Sequence, residues 1–218
     1  EEDIDNFDYY TNSQLNITGS KSETNRLLLL QALFPNITLT NTSNSDDSEV
    51  MQKALKGNEE IVDIHHAGTA MRFLTAFFAV NEGREVVLTG SQRMTERPIK
   101  VLVEALEQLG AKISYENEVG YPPIQIKGQK ITASKVSIPA NVSSQYISAL
   151  LLVAPKLENG IEITLVGEIT SVPYIKMTLA LLNDLDVKTS FEGNVISVYP
   201  KQEVASKIMT VESDWSSA

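Results

Sequence analysis

Val86-Val-Leu-Thr-Gly90, followed after a short polar stretch by Arg97-Pro-Ile-Lys-Val-Leu-Val-Glu-Ala-Leu-Glu-Gln-Leu109, decides the fold. A β-favouring run ends at a glycine, and an apolar stripe at helical spacing follows, so the pair reads as strand, turn and amphipathic helix. The same phrase occurs twice more. Ile37-Thr-Leu-Thr-Asn41 precedes Ser48–Lys56, and Ile163-Thr-Leu-Val-Gly167 precedes Pro173–Leu185. Before each copy stands another helix that opens on small polar residues: Gly19-Ser-Lys-Ser22, Ala67-Gly-Thr-Ala70 and Val142-Ser-Ser-Gln145. A helix start leaves backbone N–H groups unpartnered and carries the positive end of the helix dipole. Three such starts, brought together by an internal repeat, would form a socket for anions.

Outward from these phrases, the second unit reads as strand Ile61–Ile64, helix Gly68–Val80, strand Glu85–Gly90 and helix Arg97–Gly110. It closes with paired strands Ala111–Glu116 and Ile124–Lys127 around the turn Gly120-Tyr-Pro-Pro123. The third unit reads as strand Lys135–Ile138, helix Ser143–Pro155, strand Ile161–Gly167 and helix Pro173–Leu185. Strands Val187–Glu192 and Val195–Tyr199 then hinge at Gly193-Asn194. Unit one follows the plan in abbreviated form: strand Gln14–Thr18, then helix Ser22–Phe34, ended by Pro35. The expected fold class is therefore α/β, one globule of three β-α-β-α-β-β repeats over residues 14–210. Leu27–Phe34 and Ile147–Ala154 are apolar on every face and should form buried central helices, whereas Arg97–Leu109 should lie on a surface. Residues 1–13 form an acidic lead-in expected to be loose. Residues 211–218 read as the beginning of something further, with Asp214 and Ser216 as the cap of another helix.

Composition narrows the function classes. The chain has 218 residues, 42% of them hydrophobic, enough for a proper core. It has no cysteine, so neither a disulfide framework nor a thiolate metal site can form within it. A net charge of -10 argues against a nucleic-acid partner, which needs a basic stripe. No apolar run is long enough for a membrane helix. Four Asn-x-Ser/Thr sites (Asn16, Asn36, Asn41, Asn141) would suit secretion, but without cysteine or a signal peptide the expected location is the cytoplasm.

The candidate site residues cluster at the helix starts. Lys21 and Arg26 stand near the positive end of the first helix, beside the Ser22 hydroxyl. Gly68 allows close backbone approach, while Arg72, inside its helix, reads as structural. Arg93 lies in the loop Ser91–Pro98, placed to clamp a carboxylate or phosphate; Arg97 and Glu96 are expected to pair with each other or with neighbours. Ser143, Ser144 and Gln145 open one helix, and Ser171 and Tyr174 open its companion. Caps account for one serine at each start but not for Gln145 or Tyr174. His65-His66 lacks a third ligand at suitable spacing, so no metal is expected, and Asp46-Asp47 before Ser48 reads as an N-cap.

Gly19-Ser-Lys-Ser-x-x-x-Arg26, Ala67-Gly-Thr-Ala-Met-Arg72, Arg93-Met-x-x-Arg-Pro98, Val142-Ser-Ser-Gln145 and Ser171-x-Pro-Tyr174 together resemble the 5-enolpyruvylshikimate-3-phosphate synthase family, in that family's order. Tyr121-Pro-Pro123 and Val211-Glu-x-Asp214 fit as well, so the resemblance spans residues 14–218. It implies an enolpyruvyl transferase-like fold and transfer of the enolpyruvyl group of phosphoenolpyruvate to shikimate 3-phosphate, with release of phosphate and no cofactor. By resemblance, Ser22, Arg26, Ser143, Ser144, Ser171 and Tyr174 would hold shikimate 3-phosphate, and Lys21 would touch both substrates as the catalytic residue. Gly68, Arg93 and Gln145 would line the phosphoenolpyruvate side, where the herbicide glyphosate also binds in that family. The chain departs from the family pattern at His66 (usually Asn), Phe73 (commonly Pro), Gln92 (usually Pro) and Val172 (frequently Lys). The family has a second globule, which supplies an acidic proton shuttle and further Arg and Lys residues. This chain matches the first, so the resemblance implies a catalytically inactive part whose partner is the missing C-terminal domain.

Two alternatives stand beside this. A sister family acting on UDP-N-acetylglucosamine shares the fold but usually carries a reactive Cys and a Lys-Asn pair where this chain has Lys21-Ser22. A non-catalytic α/β repeat scaffold would explain the repeats, though not Arg26, Arg93, Gln145 and Tyr174 falling together.

Overall fold

The computed structural model describes residues 17–214. The lead-in over 1–13, most of the expected strand Gln14–Thr18 and the cap residue Ser216 lie outside the described residues; Ile17 and Thr18 are in no regular element.

The first unit runs α1 (Lys21–Leu33), β1 (Ile37–Thr40) and α2 (Asp46–Lys56). The second runs β2 (Ile61–Asp63), α3 (Gly68–Val80), β3 (Glu85–Thr89), a short α4 (Gln92–Thr95), α5 (Lys100–Gln108), β4 (Lys112–Tyr115) and β5 (Ile124–Lys127). The third runs β6 (Lys135–Pro139), α6 (Ser144–Val153) with a 3-10 turn over Ala154–Lys156, β7 (Ile161–Val166), α7 (Val172–Asp184), β8 (Thr189–Glu192) and β9 (Val195–Val198). Units two and three thus have the expected β-α-β-α-β-β order. Each makes a four-stranded sheet, in the orders β2-β3-β5-β4 and β6-β7-β9-β8. In both, the first pair is parallel, because a helix carries the chain back between the strands, and the later pairs are antiparallel.

Unit one departs from the reading of the sequence. The parallel partner of β1 is β10 (Lys207–Thr210), with Leu39 opposite Met209. Lys-Ile-Met-Thr carries too little pattern to read as a strand alone, and the parallel neighbour it gains is some 170 residues away, as in the Thr40 to Thr210 hydroxyl contact at 2.9 Å. β10 fills beside β1 the place that β2 fills beside β3 and β6 beside β7.

The central helices are buried as expected. Leu27, Leu29 and Leu30 of α1, Phe73 and Leu74 of α3, and Leu150–Leu152 of α6 have no exposed surface. The three helices pack on one another, with α2 against α1 and α3, and α7 against α6 and α1. Each such side chain stabilises the fold by roughly 1.5–3 kcal/mol relative to exposure, so apolar contact is the main force holding these helices against one another. α5 buries one stripe, Leu102, Val103, Ala105 and Leu106, as its amphipathic pattern requires.

Two helix starts differ from expectation. α5 begins at Lys100 rather than Arg97, so Pro98 is not in its first turn. The reason is tertiary: the Pro98 carbonyl accepts from Tyr146 Oη at 2.7 Å and Arg72 Nη2 at 3.3 Å, and the Ile99 N–H donates to Gly120. α2 begins at Asp46, with Ser45 at the N-cap position and its hydroxyl turned to Ser48 Oγ. Asp46 and Asp47 therefore lie in the first turn, where the helix dipole favours their charge, and are not the cap.

Candidate anion-binding site at the converging helix starts

The start of α1 is set by close backbone contacts. The Gly19 N–H donates to the Asn41 carbonyl at 3.0 Å, and the Ser20 N–H to the Glu212 carbonyl at 2.7 Å. A Cβ on Gly19 would stand 2.0 Å from the Asn41 oxygen, so only glycine fits here. The helix start is thereby pinned to both β1 and the strand that returns beside it. Lys21 then projects to solvent and makes no hydrogen bond or ion pair among the described residues.

One turn on, Arg26 is only 2% exposed. Its Nη1 donates to the Ser22 carbonyl at 2.7 Å, its Nε to Thr178 Oγ1 at 2.8 Å and its Nη2 to Ser148 Oγ at 3.0 Å. Thr178 donates its proton to the Tyr174 carbonyl, so the Ser148 hydroxyl must donate to Thr178 while accepting from Arg26. The guanidinium carbon lies 5.5 Å from the Phe73 ring centre and 5.9 Å from that of Tyr174. Burial lowers its pKa to about 10, opposed only by Tyr174, and no carboxylate pairs with it among the described residues. A buried cation without a counter-ion is costly and favours any anion that can reach it.

This hub shows that the helix starts converge. Arg26, Phe73, Ser148 and Thr178 each stand four residues, or one turn, inside α1, α3, α6 and α7, counted from Ser22, Thr69, Ser144 and Tyr174. The other three surround the Arg26 guanidinium, so the four starts open on the same side. A direct link joins two of them: Gln145 Nε2 donates to Thr69 Oγ1 at 3.3 Å. Ser143 uses its hydroxyl as a cap, accepting from the Gln145 N–H at 3.3 Å. Ser171 does not: it precedes α7 at φ 56, in the left-handed region, and its hydroxyl makes no cap bond. Holding a non-glycine residue there costs on the order of 1 kcal/mol. Tyr174 beside it is 46% exposed, whereas Arg26, Phe73, Ser148 and Thr178 are buried beneath it.

Beyond α3 lies a cavity of about 710 Å³ lined by His66, Ser91, Arg93, Met94 and Arg97. Arg93 sits on the helical turn α4, not on an open loop as expected. The expected pairing of Arg97 with Glu96 or another neighbour is absent, and no carboxylate of the described residues takes either cation of the cavity as a partner. Arg97 lies instead over Gly68, where an added Cβ would come within 2.5 Å of its Nη1. Arg72 is structural, as read: Nη1 donates to the Gly68 carbonyl at 2.9 Å, and the guanidinium lies 5.7 Å from the Tyr146 ring centre. Burial holds its pKa below the usual value, and Arg97 pushes the same way.

The candidate residues thus fall in two adjoining groups. Arg26 forms the hub with the Ser22 carbonyl and the Tyr174 ring, and Ser143, Ser144 and Ser171 stand at the starts of α6 and α7. Arg93 lines the cavity, Gly68 lies beneath Arg97, and Gln145 reaches Thr69 of α3. Sequence reasoning missed Ser148 and Thr178, and it expected Arg97 in an ion pair. The one-turn offset from each helix start could have found the first two; nothing in the sequence separates Arg97 from a surface arginine. Among the described residues no cluster of three or more His, Asp or Glu could hold a metal ion, and no helix is long and apolar enough to cross a membrane.

An α/β globule of repeated units around buried helices, with their starts gathered at one end, is the architecture of enolpyruvyl transferases. A solved EPSP synthase from Acinetobacter baumannii superimposes with a TM-score of 0.73 over 91% of this chain and 49% of its own, at 20% identity. Residues 57–218 match the family EPSP synthase (3-phosphoshikimate 1-carboxyvinyltransferase), and the chain belongs to it. A 3-phosphoshikimate 1-carboxyvinyltransferase of Bacteroides fragilis (strain YCH46) is 45% identical, covering 94% of this chain and 50% of its own length. One from Actinobacillus pleuropneumoniae (serotype 5b, strain L20) is 41% identical, covering 80% and 47%. The chain spans about half the length of the curated relatives it matches.

Proposed function

We propose that this chain carries the shikimate 3-phosphate side of an enzyme that transfers enolpyruvyl from phosphoenolpyruvate to the 5-hydroxyl of that substrate, releasing phosphate. The observation that carries the reading is Arg26, a buried cation without a counter-ion among the described residues, one turn inside four converging helix starts. A multiply anionic ligand would supply the missing negative charge. In this reading Arg26 and Ser22 hold one acidic end, and Ser143, Ser144 and Ser171 offer hydroxyls and backbone N–H groups to the phosphate. Tyr174 closes the exposed flank of the hub. Lys21 reaches both substrates, and Gly68, Arg93 and Gln145 face phosphoenolpyruvate. Fixed cations and helix dipoles suit an addition–elimination that develops charge at the reacting carbon.

Calorimetric titration tests this, with shikimate and UDP-N-acetylglucosamine as controls. Shikimate 3-phosphate should bind, and the two controls should bind at least tenfold more weakly, since each charge-assisted hydrogen bond lost is worth about 1.5–3 kcal/mol. Arg26→Lys, which keeps a charge but loses the planar fork, should weaken binding without unfolding the chain. Absence of heat with shikimate 3-phosphate, or equal affinity for UDP-N-acetylglucosamine, would overturn the assignment.

A further inference from the structure

Arginine carries five N–H groups, and three of those on Arg26 are engaged by the protein itself. Nη1 gives one to the Ser22 carbonyl, in the first turn of its own helix. Nε and Nη2 give theirs side by side to Thr178 Oγ1 and Ser148 Oγ, two oxygens that stand 2.9 Å apart. One N–H is left on each terminal nitrogen, the pair that a two-point grip on an anion uses. The two hydroxyls are fully buried, and their protons are assigned by their partners. Thr178 accepts from Arg26 and Ser148 and donates to the Tyr174 carbonyl at 2.9 Å. Ser148 accepts from Arg26 and donates to Thr178. Each proton has one place, so neither hydroxyl can turn away from the guanidinium.

Ser148 departs here from what a buried helical hydroxyl commonly does. Such a group returns its proton to the carbonyl four residues back, as Thr75 does to Met71 at 2.7 Å. Ser148 sends its proton across to α7 instead, so α1, α6 and α7 meet through these hydroxyls. Packing does not account for the cluster, because a buried cation with no carboxylate beside it among the described residues costs stability.

We propose that Ser148 and Thr178 are positioning residues, whose paired hydroxyls fix the Arg26 guanidinium and keep its two remaining N–H groups free for the acidic end of the substrate. That the substrate is shikimate 3-phosphate rests on the function proposed above; the held guanidinium does not. Tyr174 is part of the same device, since its carbonyl receives the last proton of the network and its ring centre lies 5.9 Å from the guanidinium carbon.

Two measurements on the full chain test this. Without ligand, NMR follows the exchange of the Arg26 Nε–H with water. Exchange should be slow in the wild type and in Thr178→Ser, which keeps the oxygen. It should be at least about tenfold faster in Thr178→Val, which keeps the shape and loses the acceptor. Calorimetry then gives the affinity for shikimate 3-phosphate. Thr178→Val and Ser148→Ala should each weaken it about five- to thirtyfold, and Thr178→Ser should stay within about twofold of wild type. In an Arg26→Lys background, which has no planar fork to hold, Ser148→Ala should cost less than about twofold. Ser148→Ala leaves Arg26 its bonds to Ser22 and Thr178, and it decides the matter if Thr178→Val does not fold. Hydroxyl deletions that lower Tm and leave affinity unchanged, or that cost as much in the Arg26→Lys background, overturn the proposal. The two readings fail separately. Exchange that follows the Thr178 oxygen, with no wild-type affinity for shikimate 3-phosphate, sinks only the function above. Shikimate 3-phosphate binding that ignores both hydroxyls sinks only this one.

Discussion

At the scale of single residues, the site is marked by charges whose surroundings do not neutralise them. Arg26 is the cationic case; Glu23, three residues earlier, is the anionic one. Partial burial raises the Glu23 carboxyl above its usual value of 4.5, and the carboxylates of Glu212, Asp184 and Asp214 add to this, against a hydrogen bond from the Glu212 N–H. A raised value means that the folded chain binds this proton more tightly than the unfolded chain. The stabilising contribution is then complete below about pH 4.5 and is lost as pH rises through the folded value. At pH 7 the ionised side chain works against the fold. Glu23→Gln keeps an oxygen for the Glu212 N–H and removes the charge, so it should raise stability by roughly 0.5 kcal/mol at neutral pH, allowing for solvent screening. At pH 4 the gain should vanish. Urea midpoints at the two pH values decide it; an equal gain at both would mean that packing, not ionisation, is responsible.

At the scale of elements, one carbonyl organises the approach to the cavity. Pro98 receives the Tyr146 hydroxyl of α6 and a guanidinium N–H of Arg72 from α3, and so stops α5 from starting at Arg97. That frees Arg97 to lie over Gly68. Tyr146→Phe removes the 2.7 Å bond and leaves the carbonyl with the longer one, at a cost of about 1 kcal/mol in stability. Shikimate 3-phosphate affinity should hold, because the Arg26 hub makes no use of Pro98. A matching loss of that affinity would place Tyr146 in general packing. The same carbonyl shows what the sequence could carry. Alternation and helical period are local, so the central helices, the strands of both four-stranded sheets and most boundaries were legible to within a few residues. The true start of α5 depended on side chains 26 and 48 positions away, and β10 on a neighbour near the other end of the chain. Short-range pattern contains neither.

At the scale of the whole molecule, a chain of net charge -10 gathers Arg26, Arg72, Arg93 and Arg97 at one end of its buried helices. The residue types behind the proposed anion site were visible as motifs. That Ser148 and Thr178 would close the network around Arg26 was not, since it requires α1, α6 and α7 to be packed first. What this end offers is charge, hydroxyls and one amide. Enolpyruvyl transfer to a hydroxyl with loss of phosphate also needs a proton removed from one oxygen and one delivered elsewhere. Among the described residues lining the cavity, no carboxylate is present for that task. The chain by itself should therefore bind and not turn over. Shikimate 3-phosphate at a hundred times its dissociation constant should stabilise the fold by about 2.7 kcal/mol, a rise in Tm of roughly 5–10 °C for a chain of this size. Phosphate release from a mixture of both substrates should stay at the uncatalysed rate. Release above that rate from the pure chain would show that the proton transfers are served from within it, and the division of labour proposed here would be wrong. A rise in Tm without release would mean that these helix starts form a binding half-site whose chemistry is completed by groups from elsewhere.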